Sequence, residues 1–317
     1  MGQQQCTQKC CGEDRPQDMK VVGEGPQAAL VSSTLAIGGG QPSDAAAGHS
    51  SDPNLATYFE RELAEIAALS PDALCDGQKV TFRTGAAYTG QWRGNQRHGF
   101  GTMRWTDGAI YEGQWQENRA QGIGRFTHSD KDSYIGQWKA NVAHGMGIYY
   151  HKDLTTYEGE WNCDLQDGHG VETWAEGTRF EGTFRGGQKE GHGIYYWPDG
   201  SQYCGTWEGN TINGKGGYFG SDGRWYKGTW QDSVIHGAGK YVWPNGREYA
   251  GQYLGDRKNG FGTFAWPDGR KYEGFWLQGR QHGHGRSTLK DGSIKFAVWR
   301  DGKRQGGEGD ERVPAEN

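Results

Sequence analysis

The side chains in this sequence best suited to chemistry are histidines, cysteines and paired glycines. His98, His144, His236 and His282 each precede the first glycine of a Gly-x-Gly pair, and His169, His192 and His284 each lie inside one. Converging imidazoles would hold a metal or move protons. A Gly-x-Gly pair at the start of a helix would cradle a phosphate. Cys6, Cys10 and Cys11 follow closely on Met1-Gly2. Thiols there would suit a metal or an acyl chain. Which of these chemistries is open depends on the elements that carry the residues.

Those elements come from a repeat, which has to be recognised before anything else. The pattern Y-x-G-x-W followed by G-x-G opens at Tyr88, Tyr111, Tyr134, Tyr157, Phe180, Tyr203, Tyr226, Tyr249 and Tyr272, in steps of 23 residues with no insertion. In Tyr111-Glu112-Gly113-Gln114-Trp115, alternate side chains share a face, so Tyr111, Gly113 and Trp115 lie together while Glu112 and Gln114 meet water. Gly191, Gly193, Tyr195 and Trp197 keep the same alternation in a second strand. A loop of about six residues joins the two strands. Turns such as Trp197-Pro198-Asp199-Gly200 lead to the next copy, with Pro fixing φ and Gly accepting positive φ. One hairpin alone is marginal, and stacking hairpins extends the buried face. Glycine between aromatics lets a ring lie on the backbone and lets the sheet twist.

The reading is an all-β fold: an elongated, single-layer, twisted antiparallel sheet of stacked hairpins. Composition agrees. There are 56 Gly and 14 Trp in 317 residues against a hydrophobic fraction of 33%, so aromatic stacking has to replace an aliphatic core.

The pattern Y-x-G-x-W…G-x-G…D-G at this spacing closely resembles the MORN repeat. The resemblance covers residues 78–299, as nine repeats with degenerate end caps. Phe180, Phe184 and Tyr253 depart from the consensus aromatics. Trp299 stays in phase while Lys295 and Ala297 replace Tyr and Gly, as in a closing half-repeat; Lys79–Arg83 caps the other end. The resemblance implies a non-catalytic scaffold of the kind that links membranes to cytoskeleton or occurs in cortical and ciliary structures. MORN arrays also accompany catalytic domains, but Arg300–Asn317 is too short to hold one.

Within the repeat the chemical candidates lose their force. Consensus histidines on neighbouring repeats stand about 10 Å apart, two strand spacings, and cannot share a metal. The glycine pairs lie in strands with no helix behind them. Cys10 and Cys11 are adjacent and lack a C-x-x-C partner. No catalytic residue, metal site or cofactor is expected. Cys75, Cys163 and Cys204 are expected to be free thiols.

Residues 1–53 carry Gly, Ala, Ser, Gln and Pro without periodicity and read as a disordered tail. Gly2 resembles a myristoylation site, although Cys6 stands at the usual Ser/Thr position. One myristoyl chain anchors weakly, and residues 1–53 hold 3 Lys+Arg against 6 Asp+Glu, so no basic patch can assist. S-palmitoylation at Cys6, Cys10 and Cys11 would supply the second anchor. Residues 54–70 read as a short amphipathic helix, with Leu55, Tyr58, Phe59, Leu63, Ile66 and Leu69 on one face and Pro71 as its stop. It is expected to pack on the first repeat or the aromatic groove, with partner binding as the sharper reading. Residues 300–317 read as a disordered charged tail.

The net charge is −5, and residues 88–299 hold 24 Lys+Arg against 23 Asp+Glu, which argues against a nucleic-acid partner. The expected partner is a protein, and an amphipathic helix suits a long apolar groove. The groove residues are Tyr88, Trp92, Tyr111, Trp115, Tyr134, Trp138, Tyr157, Trp161, Tyr203, Trp207, Tyr226, Trp230, Tyr272 and Trp276. The competing reading is that these rings satisfy each other and form only a core. The membrane is expected as a partner through acyl chains, at the cytoplasmic face of a plasma or cortical membrane, with a cilium or basal body as the alternative. Phospholipid binding, or a regulatory role on a lipid kinase or other enzyme, is the alternative function. Homodimerisation through open sheet edges stays open.

Overall fold

The computed structural model describes residues 55–305 and the backbone of 312–313. Gly2, Cys6, Cys10 and Cys11 lie outside the described residues. The chain starts with two short helices, α1 (Leu55–Glu60) and α2 (Leu63–Ala67). Strands follow in chain order: β1 (Lys79–Thr81), β2 (Ala87–Arg93), β3 (Gln96–Arg104), β4 (Ile110–Gln116), β5 (Arg119–Thr127), β6 (Ser133–Lys139), β7 (Val142–Tyr150), β8 (Thr156–Asn162), β9 (Leu165–Thr173), β10 (Arg179–Arg185) and β11 (Gln188–Tyr196). Then come β12 (Gln202–Glu208), β13 (Thr211–Phe219), β14 (Trp225–Gln231), β15 (Val234–Val242), β16 (Glu248–Leu254), β17 (Arg257–Ala265), β18 (Lys271–Leu277), β19 (Arg280–Thr288), β20 (Ile294–Arg300), β21 (Lys303–Arg304) and β22 (Arg312–Val313).

The fold is all-β, and the antiparallel sheet is open. The chain divides into two units. The first holds residues 55–234 and 239–245; the second holds 235–238 and 246–305. In the first, β1 to β14 pair each with the next. In the second, β16 to β20 do the same, and β21 and β22 pair short stretches of β20.

Each repeat is a hairpin of a seven-residue and a nine-residue strand, as in β4 and β5. Its turn is tighter than the expected six-residue loop, because pairing runs on to Gln116 and Arg119 and leaves Glu117-Asn118 as the turn. Both turn residues have positive φ, 50° and 67°, the combination that matches the twist of the flanking strands. Asn tolerates that region and gains a bond there: Asn118 Oδ1 accepts the Arg97 amide at 2.8 Å, in the preceding repeat. Asn141, Asp164, Asn210, Ser233 and Asp256 make the same bond to amides one repeat back. The turn residue therefore stitches hairpin to hairpin.

The two glycines of G-x-G have different tasks. Between the Gly113–Gly124 and Trp115–Ala120 pairs the register shifts, and Gly122 takes φ 77° in the resulting bulge. Gln114 fills the gap, its Oε1 accepting the Ile123 amide at 2.7 Å. Gly124 instead lies under the ring of Tyr111, where a Cβ would come within 2.7 Å of Tyr111 Cε2 and Cζ. Gly124→Ala is therefore expected to displace Tyr111 and destabilise the array by about 1–3 kcal/mol. Urea denaturation followed by tryptophan fluorescence reads this directly, and an unchanged midpoint would show that the ring does not depend on the missing Cβ.

Candidate partner groove

The consensus rings form the floor of the groove. Tyr88, Tyr111, Tyr157, Tyr203, Tyr226, Tyr249 and Tyr272 are buried, as are Trp115, Trp138, Trp161, Trp207, Trp230 and Trp276. They meet edge to face, each Tyr between two rings: Tyr111 lies 4.9 Å from Trp115 and 5.3 Å from Trp138. Tyr134 repeats this with Trp138 and Trp161. Trp92, at the start of the row, is half-buried.

Most of their polar atoms bond inside the sheet, the Trp92 and Trp207 indole N–H groups excepted. Tyr111 Oη donates to the Gln114 carbonyl at 2.9 Å, and the other consensus tyrosines do likewise. The indole N–H of Trp115 donates to Gly101 O one repeat back, as do those of Trp138, Trp161, Trp230 and Trp276 at the same phase. Burial raises the tyrosine pKa values: Tyr272 reaches about 12, and Tyr111 goes higher with a smaller push from Tyr88. The fourteen rings named from sequence thus pack as a core that also floors a groove.

What reaches the open side is a second set of aromatics, at two adjoining phases one strand on. Tyr149, Trp174, Trp197, Tyr218, Trp243 and Trp266 are half-buried. Tyr241, and Trp243 with Trp266, mark these two phases in the sequence, yet the set does not stand out as a site because its consensus is weaker.

Along the first unit this groove is occupied by the chain itself. Phe59 of α1 is fully buried against Trp105, Tyr111, Trp115, Phe126 and Trp138, with centroids 5.2 to 5.9 Å away. Tyr58 packs on Trp105 and Phe126 and donates to Asp107 at 2.7 Å. Ala120 and Ala143 stand buried where other repeats carry larger residues. Glu62 is also buried, accepting from Thr84 Oγ1 and from the Trp105 indole.

Arg97 anchors this arrangement. It is buried, stacks 4.3 Å from Trp115, and donates to Phe59 O at 2.9 Å and Asn118 O at 3.0 Å. Burial lowers its pKa to about 10, with the Glu62 and Tyr88 charges opposing. Arg97 bonds the Phe59 carbonyl close to where the helix breaks between α1 and α2. The sequence shows a single helix over 54–70; the structure interrupts it at Arg61-Glu62.

The phase of Arg97 carries charge twice more. Lys189 is buried and donates to Glu172 Oε2 at 2.7 Å, with Trp174, Phe180 and Phe184 rings 4.9 to 5.7 Å away. Lys258 lies 4.7 to 5.5 Å from Phe264, Trp276 and Tyr249. Burial, with the like charge of Arg247, brings it to about 8. Nothing in the repeat consensus points to these cations, because strand alternation marks which face a side chain takes but not its depth.

The opposite face also differs from a plain solvated surface. Phe100, Ile123 and Met146, inside three Gly-x-Gly pairs, are more than half exposed. In the second unit Phe261 and Phe275 meet at 5.7 Å there.

Asp164 accepts the Ala143 amide at 2.6 Å, where Asn118, Asn141 and Asn210 serve other repeats. Its pKa is raised by burial, which outweighs that bond. Ionising it therefore opposes folding: the stability is present at acid pH and lost as pH rises through the folded pKa. Asp164→Asn keeps the acceptor and removes the charge. It is expected to raise the melting temperature at pH 7 and to leave it unchanged at pH 3.

Among the described residues no three His, Cys, Asp or Glu side chains gather as metal ligands, and no helix is long and apolar enough to cross a membrane. Among the described residues, Cys75, Cys163 and Cys204 form no disulfide.

Stacked hairpins with a row of aromatic rings in each unit define a β-repeat protein. The MORN repeat model matches residues 88–110, 111–133, 134–156, 157–179, 180–202, 203–223, 226–246, 249–269 and 272–294, and the chain belongs to the MORN repeat family. Such repeats mark a scaffold or membrane-associated repeat protein, generally non-enzymatic. Comparison with curated proteins gave no match. Among solved structures, the TCP10 domain of Danio rerio CPAP in complex with a STIL peptide is 12% identical, with 75% of this chain and 99% of that one covered and a TM-score of 0.41. The TCP domain of Drosophila melanogaster SAS-4, bound to a proline-rich motif of Ana2, is 14% identical over 56% and 90% of the two chains at 0.32. Staphylococcus aureus virginiamycin B lyase is 12% identical over 70% and 83% at 0.14.

Proposed function

We propose that this protein is a non-catalytic scaffold, tethered by N-terminal acylation to the cytoplasmic face of a membrane, whose aromatic groove receives helical segments of partner proteins. The observation that carries the groove reading is α1 itself: a short amphipathic helix seats an aromatic side chain among five rings and has a backbone carbonyl taken by Arg97. A groove with apolar walls and a few buried polar groups suits such a ligand. The tether rests on sequence, with Gly2 for myristate and Cys6, Cys10 and Cys11 for palmitate.

Two arms test it in cells. A photo-reactive amino acid at position 174 or 197 should yield discrete protein adducts that the same group at position 123, on the other face, does not. Equal adduct patterns from both faces would sink the groove. Alkyne-myristate should label the wild type, and both Gly2→Ala and the triple Cys→Ser variant should move the protein to the soluble fraction. An unlabelled, soluble wild type would remove the membrane from this reading.

A further inference from the structure

The following inference rests on the groove being a partner site and deepens it, by stating what controls one stretch of that site. In the first unit the stretch is a frame of Arg97, Trp105, Tyr111, Trp115 and Trp138, occupied by the chain's own segment of α1 and α2. Phe59 is fully buried among the rings. Glu62, three residues on, accepts from Thr84 Oγ1 at 3.1 Å and from the Trp105 indole at 3.4 Å.

The fit is close at the rings and incomplete at the cation. Arg97 is fully buried and stacked on Trp115. Its Nη2 donates to the Phe59 and Asn118 carbonyls, while Nε and Nη1 are buried without a hydrogen-bond partner among the described residues. The segment thus gives the guanidinium one carbonyl oxygen and no carboxylate. A guanidinium is a planar fork of five donors that matches a carboxylate, and buried donors left unmatched oppose the state that buries them.

The occupant is also weakly built. Its helices run for six and five residues with a break at Arg61-Glu62, and α2 has no side-chain cap at its start. Leu63 and Leu69, on the apolar face read from the sequence, are only half-buried. Helices this short hold no structure alone.

We infer that α1 and α2 form a displaceable lid on a partner site, and that the ligand they exclude is an amphipathic helix of a second protein carrying an aromatic residue and, four positions on, a carboxylate. The ring takes the place of Phe59. In an unbroken helix the carbonyl of one residue lies beside the residue four positions on, so an acid there reaches the guanidinium that now bonds the Phe59 carbonyl. Leu63 holds that position in this chain, and the contact with Arg97 is one the lid does not make. Tethered to its own sheet, the lid competes at an effective concentration on the order of millimolar.

The test uses the full chain and fluorescein-labelled peptides of residues 54–69. Phe59→Ala in the chain should bind the native peptide at least tenfold more tightly than the wild type does, because the competing segment has lost its anchor. Leu63→Glu in the peptide should gain about a further tenfold, the worth of one charge-assisted contact. Leu63→Gln should not, and Arg97→Gln in the chain should remove the gain. The Leu63→Gln peptide keeps the comparison valid should Arg97→Gln fail to fold. With benzoyl-phenylalanine in place of Phe59, the peptide should attach within residues 97–138. Equal affinity of wild type and Phe59→Ala, no advantage of Leu63→Glu over Leu63→Gln, or attachment outside residues 97–138 would each overturn the proposal. Loss of hydrogen-exchange protection over β2 to β6 in Phe59→Ala would do so too, since the segment would then be part of the sheet's own fold. Adducts from positions 174 and 197 are read independently. Their presence beside a negative peptide result would discard the lid and keep the groove, and their absence would discard the groove reading itself.

Discussion

Phe59→Ala is expected to release α1 and α2 from the sheet while leaving the hairpins paired. The ring is fully buried against five others, and deleting such a side chain costs about 3–5 kcal/mol. The remaining ties of the segment are Tyr58 on Trp105 and Phe126, the polar contacts of Glu62 and Arg97, and contacts nearer solvent: Glu65 with Arg83, Arg61 with Asp107, and Asn95 with the Ala67 carbonyl. Exposed pairs of this kind contribute about 0–1 kcal/mol each. Two helices of six and five residues have no stability of their own away from the groove. Hydrogen exchange should therefore lose its protection over residues 55–67 and keep it over the β-strands. The emission of Trp105 and Trp115 should shift to the red as water reaches them. Retained protection at 55–67 would mean that the polar contacts of Glu62 and Arg97 hold the segment by themselves.

Lys189→Ala should be among the most destabilising single substitutions in the array. It strands Glu172, which is buried and bonded to the ammonium at 2.7 Å. Breaking a buried pair by removing one partner costs about 3–5 kcal/mol, whereas replacing both by apolar groups is often neutral or favourable. The double variant Lys189→Met with Glu172→Leu should accordingly recover most of the loss, since Trp174, Phe180 and Phe184 already surround the site with rings. Chemical denaturation of wild type, both single variants and the double variant gives the coupling between them. If the double variant falls as far as Lys189→Ala, the pair is a packing element rather than an electrostatic one.

What the sequence by itself determined is the repeat. A fixed 23-residue step sets the strand count, the antiparallel order and the face on which every consensus ring lies, because strand side chains alternate and a one-residue slip would expose the whole aromatic set. The family followed from the same residues. Tertiary structure decided what local spacing cannot encode. Asn118 reads as an ordinary polar loop residue, and only the stacked hairpin shows its side chain bonding the repeat before it. Gly122 and Gly124 look alike in sequence, yet one closes a bulge and the other makes room for a ring. The largest decision concerns Arg97, Lys189 and Lys258, which share a phase and read as solvated charges. The burial of Arg97 and Lys189 depends on what lies across the groove, the Phe59 carbonyl over Arg97 and a carboxylate beside Lys189, while Lys258 is half-buried beside three rings. A charge can enter an apolar groove only against a partner, and partners distant in sequence are chosen by the packed fold rather than by the repeat.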